Sequence, residues 1–493
     1  MKRMLAVFLT VCLMLAVCSA FAEEAAPAQR ADNLSVTHHT ATIKGQEIAY
    51  TATAGTLAMD TALGQYDLFF IAYTKDDANP AERPITFAYN GGPGCASLYV
   101  NMGLMGPDQI ALDEEGKVSQ VPTSIKANEN SLLDLTDLVF IDPVGTGFSR
   151  AAGDTENQVF WDYETDIQSV GDFIRVYTNR NERWASPKYL AGESYGTVRT
   201  AGLCDYLQNK LHMELSGLMM VSSCNNFASV NFMEGNDLPY ATALPTYAAI
   251  AWYHGKVGAQ YLNMTLEAFL EDVRAFADGE YWSALFKGSQ LTEAETDALA
   301  EKLVVFTGLK KDLILQKNLR IDMNTFCKSL MEDDKLFVGR LDGRYTGPAT
   351  SGSIEDGDAD PSATGVTEAF VTVANDIISR KLKFQSDLFY DSLSDEVNEV
   401  WTFKKYHNSF LSQEKILYDC MSRNPYLKVW VICGYYDLAT PFHAAEWTYN
   451  HLFLNESSRS QLQFTYYKSG HMFYLHEPSY LQFREDAEAW FAK

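Results

Sequence analysis

Short apolar runs recur along the chain, each followed by glycine, serine or proline. Continuous apolar runs with helical segments between them are typical of strands buried on both faces of a mostly parallel sheet. Ahead of them, residues 34–90 show the alternating or clustered β-branched and aromatic residues of strands joined by turns. The buried-strand candidates are DLVFIDP (137–143), KYLAGES (188–194), GLMMVSS (217–223), KVWVICG (428–434) and LQFTYYKSG (462–470).

Between these runs, apolar residues recur every three or four positions, which predicts helices. One such helix follows Trp161, and helical patterns dominate residues 225–395. There, segment 265–279 has an apolar face that stops at its final glycine. Thr292 and Glu295 have the spacing of a capping box. We predict that this region is a largely helical insertion between strands of the sheet.

Together, these patterns predict an α/β protein with a mostly parallel central sheet flanked by helices. The chain of 493 residues is long enough for such a core with an insertion. The predicted core comprises residues 33–224 and 396–493, with the helical insertion or cap, residues 225–395, between them.

The first 22 residues have the pattern of a secretory signal peptide. A basic start precedes an apolar run over residues 5–17, and residues 20–22 form a small-x-small cleavage site. We expect an exported protein, secreted or periplasmic, whose mature chain begins with a flexible segment, residues 23–32. The apolar run is too short for a membrane span, and no later run is long enough. Lipidation at Cys18 is a minor alternative.

The composition is strongly acidic, with 64 Asp and Glu residues against 39 Lys and Arg residues and a formal net charge of −25. Such a charge argues against nucleic acid or an anionic membrane as a partner. It is also a common solubility feature and says no more about function.

Neither the cysteines nor the acidic residues form a metal-binding pattern. The cysteines lack CxxC spacing, and Cys433, which ends an apolar run, is expected to be a buried free thiol. Alternate aspartates in loop 343–366 begin like a calcium site, but Pro361 and Thr367 stand where that site needs glycine and glutamate. These aspartates are Asp356, Asp358 and Asp360. We predict no metal and no cofactor.

The stretch YLAGESYGT (189–197) has the strand, Gly-x-Ser-x-Gly turn and helix of a nucleophile elbow. This context favours Ser194 as a nucleophile over a plain structural turn. Serine needs a base to activate it, and the base needs an acid to orient it. Glu193 directly precedes the serine, an unexpected charge in a site that must stabilise developing negative charge.

His471 and Asp437 are the candidate base and acid, because each follows a late strand candidate. The 34 positions between them leave room for one helix and one strand. A turn aspartate is the alternative interpretation of Asp437. Three nearby histidines compete with His471: His443, which looks like the start of a helix, His476, which precedes a surface turn, and His451.

A glycine-rich loop, NGGPG (90–94), follows the apolar run ITFAY. Acyl transfer requires two backbone N–H donors for the oxyanion. One would come from Tyr195, the residue after the nucleophile, and the other from this loop, because glycine lets the backbone approach a substrate. A plain tight turn is the alternative for this motif alone.

Several blocks together resemble the serine carboxypeptidases, a family with the α/β-hydrolase fold. They follow the family order from about residue 65 to 480, nearly the whole predicted mature chain. The blocks are YNGGPGCASL (89–98), IDPVGTGFSR (141–150), GESYG (192–196), CGYYDLATP (433–441) and GHM (470–472).

The resemblance implies a serine-type carboxypeptidase that releases C-terminal residues from peptides through an acyl-enzyme. The implied triad is Ser194, Asp437 and His471. The implied oxyanion-hole donors are the N–H groups of Gly92 and Tyr195. The implied residues that bind the substrate's terminal carboxylate are Asn90, Gly91 and Glu193. The helical insertion would cover the active site and admit only chain ends.

An ionised Glu193 would repel a peptide carboxylate, whereas a protonated Glu193 could donate a hydrogen bond to it. Burial near other acidic groups raises the pKa of a carboxyl group. We therefore expect recognition of peptide ends, and with it peptidase activity, to be favoured at acidic pH.

Three features depart from the family pattern. Leu104 stands where members usually carry a second glutamate, and Tyr474 occupies their proline position after the histidine. The family's disulfides are largely missing, although by position Cys95 would form one, with Cys327 as its partner.

Two other functions remain open. An esterase or acyltransferase could use the same triad, since plant relatives of the family include acyltransferases, and Leu104 keeps this alternative open. A non-catalytic binding protein on the same fold is less favoured, because all three triad candidates are present.

Overall fold

The computed structural model of the protein describes residues 30–349 and 360–492. The predicted signal peptide, residues 1–22, lies outside the described residues, as do residues 23–29 and the aspartates at 356 and 358. From Asn33 onward the chain forms one compact unit, to which the predicted insertion belongs. The boundaries of that insertion stay a prediction.

A mixed ten-stranded sheet organises the described part of the chain. The strands, including two short two-stranded ribbons, are β1 (Asn33–Ile43), β2 (Gln46–Thr61), β3 (Gly64–Lys75), β4 (Ile85–Tyr89), β5 (Asp108–Ile110), β6 (Ile125–Ala127), β7 (Asp137–Ile141), β8 (Arg150–Ala152), β9 (Lys188–Glu193), β10 (Gly217–Val221), β11 (Leu336–Val338), β12 (Thr346–Pro348), β13 (Lys428–Gly434) and β14 (Leu462–Tyr467). The sheet order is β1-β2-β3-β7-β4-β9-β10-β13-β14, and β8 pairs with β3. Pairing is antiparallel from β1 to β7 and parallel from β7 to β14. All the predicted strands are confirmed, but β14 lies at the edge of the sheet and is half-buried at all positions except Tyr467.

Helices flank this sheet and fill most of the predicted insertion. They are α1 (Tyr163–Arg180), α2 (Tyr195–Asp205), α3 (Leu238–Tyr253), α4 (Leu266–Phe276), α5 (Trp282–Lys287), α6 (Glu293–Thr307), α7 (Lys311–Gln316), α8 (Met323–Ser329), α9 (Val366–Asp376), α10 (Asp395–Val400), α11 (Glu414–Arg423), α12 (Phe442–Asn450), α13 (Glu456–Arg459) and α14 (Glu477–Ala492). None of these described helices is both long and apolar enough to cross a membrane.

The central parallel strands are mainly apolar at successive positions because both faces of the sheet are covered. Along β9, Leu190 joins one hydrophobic core, while its neighbours Tyr189 and Ala191 join the other. In β10, Leu218 and Met219 divide in the same way. Successive strand residues point to opposite faces, so a strand covered on both sides needs apolar residues at every position.

Local sequence signals set the ends of several helices. The side chain of Asp162 caps α1 by accepting hydrogen bonds from the N–H groups of Glu164, at 2.9 Å, and Thr165, at 3.1 Å. The predicted capping box of α6 is confirmed, because Thr292 and Glu295 each accept a hydrogen bond from the other's backbone N–H. Side-chain caps of this kind satisfy N–H groups that have no partner within the helix.

The prediction that the helix of segment 265–279 stops at Gly279 is wrong. Its apolar face is buried as expected, and α4 ends at Phe276. The chain then continues through a wider π-helical turn, Ala277–Tyr281, directly into α5. Gly279 has no neighbouring atoms within 4 Å of a Cβ position, so no close approach or left-handed backbone requires glycine there.

A partly buried charge network ties α4 to α12. Arg274 Nη2 lies 2.7 Å from Glu446 Oε1, and Tyr466 donates to the same oxygen at 2.7 Å. His443 bonds to Glu446 through Nδ1 and to Asp278 through Nε2. Burial opposes charge on the imidazole, but the hydrogen bonds to Asp278 and Glu446 raise the pKa of His443 to about 9. Burial likewise opposes charge on Glu446, yet His443 and Arg274 lower its pKa to about 2.

These shifts give the network a pH window. His443 contributes its full stabilisation below its ordinary pKa of 6.5 and loses it as the pH rises through about 9. Glu446 contributes fully above its ordinary pKa of 4.5 and loses its contribution as the pH falls through about 2. Both contributions are therefore complete between pH 4.5 and 6.5.

We predict that Glu446→Gln lowers the thermal midpoint most within that window. Loss of one partner of a fully buried ion pair typically costs about 3–5 kcal/mol, and the loss here should be smaller because Arg274 and Asp278 are partly exposed. Thermal melts of the variant and parent should differ less above pH 9, where His443 is neutral. The control is Glu280→Gln, which removes an exposed ion pair with Lys302 and should change the midpoint far less. A pH-independent difference for Glu446→Gln would contradict the prediction.

Candidate active site

Ser194 lies at a sharp turn between β9 and α2, as an elbow requires. Its backbone has φ 60° and ψ −128°, a conformation that non-glycine residues rarely adopt. The Ser194 N–H donates to Val221 O at 2.9 Å, and the Thr197 N–H donates to Ser194 O at 2.8 Å. A side chain on Gly192 would collide with the backbone oxygen of Gly196, so the two glycines of the motif make this turn sterically possible.

The glycine-rich loop after β4 lies directly against the elbow. A Cβ atom on Gly91 would be 2.5 Å from Tyr195 N and 2.7 Å from Gly196 N. Gly92 has φ +97°, in the region that favours glycine. Arg199 fastens the two elements together, because its Nη1 donates to Asn90 O at 2.7 Å. The structure thus brings the two predicted oxyanion-hole residues, Gly92 and Tyr195, into neighbouring backbone segments.

Asp437 and His471 form a buried pair at the ends of β13 and β14. His471 Nδ1 lies 2.7 Å from Asp437 Oδ2. Asp437 is held by three donors, the N–H groups of Ala439 at 2.8 Å and Thr440 at 3.0 Å and the Thr440 hydroxyl at 2.6 Å. Burial lowers the pKa of His471, but the Asp437 carboxylate more than offsets this and raises it overall. The pair can therefore orient an imidazole and stabilise its protonated form.

The backbone of the His471 loop is anchored from two sides. The Ser222 hydroxyl, just after β10, donates to His471 O at 2.7 Å. The His471 N–H donates to Leu341 O at 2.6 Å. Asp360 in turn accepts hydrogen bonds from the backbone N–H groups of Arg340 and Leu341, each at 3.1 Å. Asp360, which belongs to the predicted insertion, thus holds the segment that anchors the histidine loop.

The competing histidines are engaged elsewhere in the structure. His443 belongs to the charge network described above, and His476 Nδ1 lies 2.8 Å from the Ser479 hydroxyl. His451 Nδ1 lies 2.7 Å from Trp447 O. Of these candidates, His471 is the one paired with Asp437, at the ends of the parallel strands β13 and β14. The catalytic roles of Ser194, Asp437 and His471 stay predictions.

Glu193, the last residue of β9, is 4% exposed. Its Oε1 accepts a hydrogen bond from Asn90 Nδ2 at 3.1 Å, and Asn90 Oδ1 accepts one from Val100 N at 3.1 Å. Burial raises the pKa of Glu193 to about 7, against opposing effects of His471, Tyr474 and Asn90. The expected raised pKa thus has its physical cause in burial.

The site contains a residue whose role the sequence did not indicate. Asp142, in the block IDPVGTGFSR, is buried and accepts a hydrogen bond from Ser97 N at 2.7 Å. Its backbone O accepts from the Ser149 hydroxyl, which accepts from Phe69 N at 2.7 Å. Asp142 therefore links β3 and the end of β7 to the segment after the glycine loop. The block IDPVGTGFSR could be recognised in the sequence, but the sequence did not indicate that Asp142 contacts the segment after the glycine loop.

The predicted disulfide between Cys95 and Cys327 is wrong, because both cysteines are free thiols in the structure. Cys95 donates from Sγ to Ala96 O, and its backbone forms a bridge with Leu393. Cys327 lies in α8, in the other hydrophobic core. The two thiols therefore belong to different layers of the molecule. The prediction of a buried free thiol at Cys433 is confirmed.

Comparison with known proteins agrees with this geometry. A family model described as serine carboxypeptidase matches residues 44–481. Serine carboxypeptidase-like 9 of Arabidopsis thaliana is 26% identical over 223 residues, 44% of this chain and 45% of that protein. The pheromone-processing carboxypeptidase KEX1 of Saccharomyces cerevisiae is 32% identical over 137 residues, 26% of this chain and 18% of that protein. The chain therefore matches less than half the length of these curated relatives.

The crystal structure of KEX1(delta)p, a prohormone-processing carboxypeptidase from Saccharomyces cerevisiae, is similar over most of the fold. The TM-score is 0.55 at 17% identity, with 90% of this chain and 91% of that chain covered. Likeness at this level of identity concerns the fold alone. It confirms the predicted α/β-hydrolase architecture.

We predict that Gly91→Ala greatly slows labelling of Ser194 by a fluorophosphonate probe. The added methyl group would lie 2.5 Å from Tyr195 N, so the glycine loop or the elbow must shift. A misplacement of about 1 Å in an active site can cost about a hundredfold in rate. Labelling rates with intact-protein mass spectrometry measure this.

The matched control is Gly279→Ala, whose methyl group meets no atom within 4 Å. It should leave the labelling rate unchanged. Equal labelling of Gly91→Ala and the parent would show that the loop does not constrain the nucleophile.

Proposed function

The chain belongs to the serine carboxypeptidase family, and we propose that it is an exported enzyme that releases C-terminal residues from peptides at acidic pH. One observation carries the proposal: a buried carboxyl group with a raised pKa, Glu193, adjoins Ser194 and accepts a hydrogen bond from Asn90. A protonated carboxyl group at this position can bind the carboxylate of a chain end, which a cleavage site within a chain lacks.

The chemistry follows the acyl-enzyme route. His471 removes the proton from the Ser194 hydroxyl, which attacks the last peptide carbonyl carbon, while Asp437 holds the imidazole. The N–H groups of Gly92 and Tyr195 stabilise the oxyanion. The terminal amino acid leaves with the proton from His471, and water then hydrolyses the ester on Ser194. The route uses no metal or cofactor.

Recognition of the chain end depends on the proton of Glu193. Below about pH 7 the carboxyl group is mainly protonated and donates to the substrate's carboxylate, with Asn90 and the Gly91 backbone beside it. Above that pH it is ionised and repels the same group. The Glu193 carboxylate also raises the pKa of His471, so a proton on Glu193 favours the neutral imidazole that acts as the base.

Residues 225–395 form the cap in this proposal. Two backbone hydrogen bonds support this: His471 N to Leu341 O at 2.6 Å and Gly343 N to Tyr436 O at 2.9 Å. They fix the segment 341–343 against the loops that carry the base and the acid. The cap would shape the pocket and limit access to chain ends. Export rests on the signal-peptide pattern of residues 1–22, and no nucleic acid takes part.

An esterase or acyltransferase is the second candidate, and Leu104 is the observation that favours it. This side chain is fully buried where family members usually carry a glutamate, so the carboxylate site has one carboxyl group fewer. A non-catalytic binding protein is a third and weaker candidate. Failure of a fluorophosphonate probe to label Ser194 in the folded protein would support it.

We predict that the mature protein removes residues stepwise from a peptide with a free C-terminus and leaves its C-terminally amidated twin intact. Products are read by mass spectrometry, with Ser194→Ala as the inactive control. The rate on the free-ended peptide should fall as the pH rises above about 7, because Glu193 then loses its proton. Cleavage of an ester without cleavage of either peptide would instead support the esterase.

A further inference from the structure

Two unpartnered polar atoms lie in the carboxylate site. Glu193 Oε2 and the Tyr474 hydroxyl oxygen are buried and have no hydrogen-bond partner within the described residues. Glu193 is 4% exposed and Tyr474 is 2% exposed. The two groups lie close enough for a hydrogen bond between them to contribute to the pKa shift of each, but their geometry falls short of a well-formed bond. Buried polar groups are rarely left without a partner, so this pair indicates a ligand atom that bonds to both.

Tyr474 reaches this position from the histidine loop. It lies in a short 3₁₀ turn, Phe473–Leu475, three residues after His471. Its ring rests against Gly103, where a Cβ atom would come within 2.5 Å of it. Gly103 directly precedes Leu104 in the π-helical segment Val100–Met105. The tyrosine thus enters the site beside the position where a second carboxyl group is missing.

Besides Tyr474, four titratable groups interact electrostatically with Glu193. His471 and Asp437, which follow β14 and β13, lie close enough to influence the pKa of Glu193, and Glu193 influences the pKa of the Cys95 thiol and the Tyr99 hydroxyl. Burial, followed by the effect of Glu193, raises the pKa of Tyr474 well above its usual value. The tyrosine therefore keeps its proton and remains a donor throughout the working pH range, unlike a second carboxyl group.

We propose that Tyr474 determines specificity for free chain ends, because its hydroxyl and protonated Glu193 Oε2 donate to the same terminal carboxylate of the substrate. This proposal rests on the proposed peptidase function. In it, the Tyr474 hydroxyl takes the place of the carboxyl group that is absent at Leu104. Recognition then requires one protonated carboxyl group instead of two. The substrate class is a peptide with a free α-carboxylate.

The test compares Tyr474→Phe with the parent on an N-acylated dipeptide and on an ethyl ester with the same acyl residue. The variant keeps the ring and loses only the hydroxyl. A hydrogen bond to a charged group contributes about 1.5–3 kcal/mol, so kcat/KM on the dipeptide should fall roughly tenfold or more at acidic pH. The rate on the ester, which has no terminal carboxylate, should not change.

The pH dependence of kcat/KM on the dipeptide distinguishes the proposed role of Tyr474 from a purely structural one, which would leave this dependence unchanged. The Tyr474 hydroxyl lowers the pKa of Glu193, so its loss should shift the alkaline limb for the dipeptide to higher pH. The matched control is Tyr480→Phe, which loses hydrogen bonds to Leu104 O and Asn128 Oδ1, both at 2.9 Å. It should keep the parent's ratio of dipeptide to ester activity and the parent's pH profile.

Equal effects of Tyr474→Phe on dipeptide and ester, or no effect on either, would overturn the proposal. If the parent cleaves only the ester, the peptidase function fails separately. Inhibition of ester hydrolysis by a non-cleavable dipeptide analogue with a free carboxylate then decides the role of Tyr474. Weaker inhibition of the Tyr474→Phe variant than of the parent would support it, and equal inhibition would overturn it.

Discussion

The hydrogen bond between Asn90 and Glu193 joins the two turns on which the site depends. Asn90 begins the glycine loop after β4, and Glu193 ends β9 immediately before the elbow. The same loop packs its Gly91 backbone against the N–H of Tyr195. The loop can approach so closely because glycine occupies these positions, and that approach in turn buries the carboxyl group of Glu193.

Burial raises the pKa of this carboxyl group to about 7, and in the proposed function this makes it a proton-dependent recognition element. Glu193 and His471 influence each other's pKa, so their protonation is coupled. A proton on Glu193 with a neutral His471 allows both binding of a carboxylate and activation of Ser194. The reverse arrangement allows neither. In the proposed mechanism, the position of that proton links the choice of substrate to the chemistry.

Much of the fold could be predicted from local patterns. Strands such as β9 and β10 could be recognised as continuous apolar runs because both of their faces are covered. The loops of the candidate site could be recognised from the order of their motifs along the chain. Prediction failed at one local helix boundary and at one long-range pairing. Gly279 looked like a helix end but lies inside a continuous helical segment, and a Cys95–Cys327 disulfide was inferred from position alone.

In the candidate site too, residues within local motifs could be predicted, whereas contacts between distant segments could not. Ser194, Asp437 and His471 stand at strand ends and could be identified from motif and order. The proximity of Tyr474 to Glu193 could not, because 281 positions separate the two residues and the fold of the histidine loop, with the tyrosine ring against Gly103, brings them together. The pKa of Glu193 likewise depends on burial by several segments, which no short motif encodes.

The central claim is that Glu193 must hold a proton to bind a chain end. Calorimetry of Ser194→Ala with a free-ended peptide, in buffers of different ionisation enthalpy, measures proton uptake on binding. Well above pH 7, where free Glu193 is ionised, uptake should approach one proton, and it should fall towards zero at acidic pH. The double variant Ser194→Ala/Glu193→Gln should show no such uptake. Binding of the same peptide to Ser194→Ala without proton uptake at any pH would contradict the account.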